Sequence, residues 1–206
     1  MQRYAIHPTH PQPRLLRLAA AIVRDGGLIA YPTDGCYALG GSLDRPEAAA
    51  AIRVLRGIDE RHPLALACAD LAQVGRYAKL DNWQFRVVRQ GTPGPFTFLL
   101  PATREVPRRV RPSRHATIGV RVPSDAAALA ILAELGGPML SSSLILAGSD
   151  TPLADPDAIA AALGRRIGAL VDGGPRAAVP STVVDLTEPP GRIVRLGLGD
   201  PAALGL

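Results

Sequence analysis

Four short stretches of this chain bring hydroxyls, small residues and prolines together beside apolar runs. Tyr31-Pro32-Thr33-Asp34 follows Gly27-Leu28-Ile29-Ala30, and Pro93-Gly94-Pro95 leads to Thr97. Ser141, Ser142 and Ser143 stand in a row after Met139-Leu140, and Ser181-Thr182 opens Val183-Val184-Asp185. Hydroxyls and backbone amides at strand ends bind phosphate or carboxylate, and strand ends are where α/β proteins place ligands. The same residue types also build ordinary turns. One such stretch therefore carries little, whereas four in one chain favour a site. Arg121 adds a charge inside the alternating run Gly119-Val120-Arg121-Val122. A guanidinium there must meet solvent, a ligand or a buried carboxylate.

Several chemistries lack their residues. No phosphate loop of the Walker type and no GxGxxG after a strand are present. Neither HExxH nor a zinc spacing occurs. A Ser/His/Asp triad would have to draw on His62 or His115, and neither stands in a recognisable setting. His7 and His10 are flanked by prolines in an N-terminal arm expected to be mobile, and read as bystanders to any metal chemistry. Cys36 and Cys68 are the only cysteines, too few for a disulfide framework. With no apolar leader and no run of membrane length, the expected setting is a reducing cytoplasm without membrane contact.

The elements that must position these residues follow from pattern. The 206 residues are 47% hydrophobic and 20% charged, enough for a substantial core in one domain. Helices are expected over 15–24, from an Asp44/Glu47 capping box to Arg56, after an Asp70 cap, over 82–90, after Ser124 or Asp125, and after Asp155. Strands are expected at 28–32, 63–68 and 117–123, after the Pro-Gly turn within 92–101, and in four runs of the last third. The Tyr31–Gly41 stretch reads as a turn between a strand and a helix. Strands alternate with helices and then crowd together, which argues for α/β with a mixed sheet. Lys79 is the only lysine, and the net charge is +5. So arginine-rich a chain has either a biased composition or a surface for phosphates, which arginine binds bidentately.

Taken in order, these motifs resemble the YrdC-like family of threonylcarbamoyl-adenylate synthases. The resemblance runs from about residue 15 to residue 199 and rests on five stretches: GGLIAYPTDGCYALGG, PGPFTF, IGVRVP, PSTVVDL and VRLG. It implies a single α/β domain over 1–206 with a twisted mixed sheet and a large concave basic groove. The implied activity joins L-threonine, bicarbonate and ATP, with Mg2+, into threonylcarbamoyl-adenylate on the way to a modified tRNA. By the same resemblance Tyr31, Thr33, Arg121 and Ser181 hold the amino-acid substrate. Arg56, Thr97, Ser141, Ser143, Thr182 and Arg195 line the nucleotide part of the groove. Implied partners are ATP or AMP, L-threonine, and tRNA or double-stranded RNA.

Two departures bear on activity. Synthases carry Lys-x-Arg after the second helix and Ser-x-Asn after the serine strand. Here these read Arg56-Gly57-Ile58 and Ser143-Leu144-Ile145. The pattern resembles the YciO branch, and it implies weak or altered synthase activity. The alternatives are an RNA-binding module without efficient catalysis, and a hydrolase of carbamoyl-phosphate-like compounds. Many synthases of the family carry a further C-terminal domain, which is not expected within these 206 residues.

Overall fold

Helix starts are set by prolines and aspartates. Pro13, Pro46 and Pro156 occupy first-turn positions of α1 (Pro13–Arg24), α2 (Pro46–Arg56) and α6 (Pro156–Leu163), where a missing N–H costs nothing. Asp70, Asp81, Asp125 and Asp155 cap α3 (Leu71–Tyr77), α4 (Asn82–Gln90), α5 (Ala126–Leu135) and α6 by accepting backbone N–H bonds. Asp44 does not cap α2: Pro46 fixes the first turn, so Arg45 becomes the cap residue and no side-chain bond forms there. The structure is a computed structural model and describes residues 1–110 and 117–206; His115 lies outside the described residues.

The strands are β1 (Gln2–Ala5), β2 (Ile29–Pro32), β3 (Tyr37–Ser42), β4 (Ala65–Ala67), β5 (Phe96–Pro101), β6 (Thr117–Arg121), β7 (Met139–Ser143), β8 (Ala169–Asp172), β9 (Thr182–Asp185) and β10 (Arg192–Arg195). They form one mixed sheet in the order β1-β8-β2-β3-β7-β4-β6-β5-β9-β10. Two of them correct the expectation from sequence. The N-terminal arm begins as a strand, β1, paired parallel to β8, with Tyr4 and Ile6 buried. The stretch after the Thr33 turn is not a lead into a helix but the central strand β3, antiparallel to β2 and β7. Its glycines looked like turn residues, yet they serve packing. A Cβ on Gly40 would stand 2.7 Å from the Met139 sulfur, and one on Gly41 2.8 Å from Leu28.

The two sheet faces are covered unequally. One face packs against α2, α3, α4 and α6 through Tyr37, Leu39, Leu66, Phe98, Leu100, Val120 and Val184. On the other, α1 and α5 cover only the half around β8, β2 and β3, burying Ile29, Tyr31, Ala38, Ala169 and Val171. Over β7, β4, β6, β5, β9 and β10 this second face carries the side chains that line a cavity instead of a helix layer.

Candidate functional site

Register brings distant motifs together. Ser141 pairs with Ala65, Ala65 with Gly119, Gly119 with Leu99, Leu99 with Asp185, and Asp185 with Arg192. Strand side chains alternate between faces, and a paired row shares one face, so this row forms a floor. Small residues at its centre leave room: a Cβ on Gly119 would already stand 3.1 Å from the Ala65 Cβ. The resulting cavity is about 380 Å³, and its walls include Arg56, His62, Thr97, Arg121, Ser143, Ser181 and Arg195. That size lies within the range of small-molecule sites.

Arg195 reaches this cavity through a backbone irregularity. Plain alternation in β10 would put Arg192 and Arg195 on opposite faces. The register instead shifts between Ile193 and Arg195, so Arg195 pairs with Val183 and lines the cavity together with Arg192 and Val194. Its terminal nitrogen donates to the Ser181 carbonyl at 2.8 Å. Arg56, at the end of α2, donates to the Ile145 carbonyl at 3.1 Å and to the Ser142 hydroxyl. Burial lowers the basicity of both guanidinium groups. The neighbouring charge of Arg195 lowers Arg56 further, and Arg195 is pulled up by the Cys36 thiol and down by Arg121.

Arg121 finds a buried carboxylate. It donates to Asp34 at 2.6 Å, with both side chains 5% exposed. The other Asp34 oxygen accepts the Ser124 backbone N–H at 2.9 Å and the Ser124 hydroxyl. The Nε atoms of Arg121 and Arg195 are buried and have no partner among the described residues. Such groups are costly unless an anion or water completes them. The Thr97 and Ser181 hydroxyls bond each other at 2.8 Å on the cavity wall.

The sequence-derived candidates thus divide in two. Arg56, Thr97, Arg121, Ser141, Ser143, Ser181 and Arg195 converge on the cavity. Tyr31, Thr33 and Thr182 stand behind it. The buried Tyr31 hydroxyl bonds Ser141 at 2.7 Å, and Thr33 closes its own turn by donating to the Cys36 carbonyl at 2.7 Å. Thr182 donates to the Gly199 carbonyl at 2.6 Å and accepts from Gly197 N–H, tying down the chain after β10. Asp34, His62, Asp185 and Arg192 belong to the site without having been singled out for it. For Asp34 the available signal was a charge in the turn that follows an apolar strand. Ile58 and Ile145 line a smaller adjoining hollow with Arg56, Gly57, Gly148 and Asp150.

A family model described as telomere recombination, covering Sua5, YciO and YrdC, matches residues 21–197. The chain belongs to the Sua5/YciO/YrdC family. Among this family's members, the Escherichia coli protein YciO is 43% identical over 199 residues, spanning 97% of either chain. Its crystal structure superposes with a TM-score of 0.95, covering 98% of both chains. A threonylcarbamoyl-AMP synthase of Chromobacterium violaceum is 37% identical over 91% of this chain and 96% of its own. The crystal structure of P. abyssi Sua5 complexed with L-threonine matches at 28% identity with a TM-score of 0.88, over 96% of this chain and 58% of that one. The family resemblance and the mixed α/β fold expected from the motifs are therefore both met. No helix among the described residues is long and apolar enough to cross a membrane.

Proposed function

We propose that the cavity binds an adenine nucleotide together with L-threonine, and that the protein is a threonylcarbamoyl-AMP synthase relative with weak or altered activity. The observation that carries this reading is the convergence of Arg56, Arg121 and Arg195 with five hydroxyl side chains around one small-floored cavity, where two guanidinium nitrogens lack partners among the described residues. Such a surface suits a ligand bearing phosphate and carboxylate. The relatives named as synthases, and the Sua5 structure holding threonine, supply the ligand identities. Mg2+ would arrive with ATP.

Ile58 and Ile145 support the qualification. Both lie beside Arg56, where the synthase pattern has an arginine and an asparagine. A hydrogen bond to a charged group is worth roughly 1.5–3 kcal/mol. Losing two costs about 3–6 kcal/mol, or about 10²–10⁴ in rate where they act in the transition state. Calorimetric titration of ATP, AMP and L-threonine tests the binding, and we expect at least one nucleotide to bind. Pyrophosphate release from ATP, threonine and bicarbonate tests turnover. Wild type should be slow, and Ile58→Arg with Ile145→Asn should raise the rate at least about tenfold, roughly 1.4 kcal/mol. Ile58 also packs against the core, so the variant's fold must be checked by circular dichroism. A wild type as fast as an ordinary synthase, or a folded variant that gains nothing, would defeat the reading.

A second occupant, tRNA or double-stranded RNA, is favoured by the Arg192 side chain, which is 78% exposed at the cavity's outer wall. The burial of the lining residues Thr97, Arg121, Ser141 and Ser181 favours the small ligand.

A further inference from the structure

One titratable group on the cavity wall has no part in the reading so far. His62 lies in the loop between α2 and β4, and it lines the cavity with Arg56, Arg195 and the following Pro63. Its backbone is pinned: the His62 N–H is donated to the Asp59 carboxylate at 3.2 Å and to the Asp59 carbonyl at 3.3 Å. Its ring has no hydrogen-bond partner among the described residues, and the side chain is exposed at the cavity mouth. A pinned backbone and an unpaired ring on a wall shared with Arg56 and Arg195 place an imidazole within reach of whatever occupies the cavity.

We propose that His62 is a proton-linked phosphate ligand, its ring donating to a phosphate that occupies the cavity it lines with Arg56 and Arg195. The proposal rests on the phosphate-binding reading given above. The charged groups facing His62 are Arg56 and Arg53 of α2, Arg195 of β10, and Asp59 of its own loop. Three cations oppose one carboxylate, and that carboxylate already accepts the N–H groups of Arg61 and His62. Partial desolvation by the cavity wall on one side of this otherwise exposed ring, followed by the charges of Arg56 and Arg195, holds the imidazole below its ordinary range. A phosphate dianion reverses the balance. It screens His62 from Arg56 and Arg195 and offers an acceptor oxygen, which only the protonated ring can meet with a charge-assisted bond from either nitrogen. Binding therefore draws one proton from the buffer. The arginines remain cationic throughout the histidine range, so the pH dependence falls to His62.

Sulfate is the suitable first probe, because it stays dianionic where phosphate itself titrates. Its affinity for wild-type protein should rise as pH falls from about 8.5 to about 6, spanning the ordinary histidine range. Between the pKa values of the free and bound states the rise approaches about tenfold per pH unit. Calorimetry in buffers of different ionisation heat should show uptake approaching about one proton per sulfate, the limit for a single titrating group. His62→Gln keeps a polar side chain and changes an exposed position. It should bind sulfate with a nearly flat profile and without proton uptake. AMP, titrated in parallel, separates the two ideas. If neither sulfate nor AMP binds at any pH, the phosphate reading falls and this inference with it. If AMP binds but wild type and His62→Gln share one pH profile, the inference alone is overturned.

Discussion

The buried ion pair between Asp34 and Arg121 is where a single side chain does most for both fold and site. Arg121 reaches the cavity from β6, and Asp34 holds it from the turn between β2 and β3 while also bonding Ser124 ahead of α5. Three elements meet in that carboxylate. A buried pair contributes little against a well-packed apolar substitute, but breaking it leaves one charge stranded at a cost of about 3–5 kcal/mol. Asp34→Ala should therefore lower the unfolding free energy by about that amount in urea. Asp34→Ala with Arg121→Met should recover more than half of the loss. Equal losses in the single and double variants would mean that the pair is not what holds the turn. From sequence, Arg121 carried three possible fates, and the structure shows the buried carboxylate. Which carboxylate was not legible there, because Asp34 and Arg121 are 87 residues apart and only the sheet order makes them neighbours.

At the scale of elements, most local cap signals hold, although Asp44 yields the cap position of α2 to Arg45. Asp70, Asp125 and Asp155 are short side chains next to helical patterns, and each caps the helix expected of it. Two strands escaped for physical reasons. The glycines of β3 are there because Met139, Tyr31, Leu28 and Ala48 crowd them, and crowding is a property of the partner strands. In β1 the apolar alternation is only a few residues long, and pairing to β8 supplies the rest. The bulge in β10 leaves no trace in composition at all, yet it decides that Arg195 faces the cavity. The hairpin of β9 and β10 is held by Asp185, whose carboxylate accepts from Thr187 and Arg192. Partial burial pulls that carboxylate up, but the Thr187 hydroxyl and N–H and the Arg192 charge leave it below its usual range. A depressed carboxylate adds stability that is present above the unfolded-state pKa, about 3.9, and is lost as pH falls through the folded value. Arg192 is largely exposed, so the effect is worth roughly 0.2–1 kcal/mol. Amide exchange, corrected for intrinsic rates, should therefore show β10 opening progressively more readily as pH falls from about 4 through the folded value, by roughly 1.5- to 5-fold in all. Asp185→Asn should show no such step. A β10 whose opening ignores pH would mean that the backbone pairing alone sets its stability.

The whole molecule carries 23 basic and 18 acidic residues, and its groove decides how much of that excess reaches a polyanion. Four arginines line the cavity, but they are not equally free. Arg121 is neutralised by Asp34 and Arg192 by Asp185, which leaves Arg56 and Arg195 without a carboxylate partner among the described residues. An RNA lying along this groove would thus neutralise its phosphates with about two to four cations. Counterion release makes affinity fall with a log–log slope of about −0.7 to −0.9 per phosphate. Raising salt from about 50 to about 200 mM should then weaken a short double-stranded RNA by roughly 10- to 150-fold. Fluorescence anisotropy at fixed pH measures this directly, and Arg195→Ala should make the slope shallower by about one phosphate. AMP provides the control for location, since a nucleotide that fills the cavity should release RNA held over the same arginines. Binding that ignores salt, or no binding at the lower salt, would remove RNA as an occupant of the groove. Salt-sensitive binding that AMP cannot displace would place the RNA on arginines elsewhere on the surface, leaving the cavity to the small ligand.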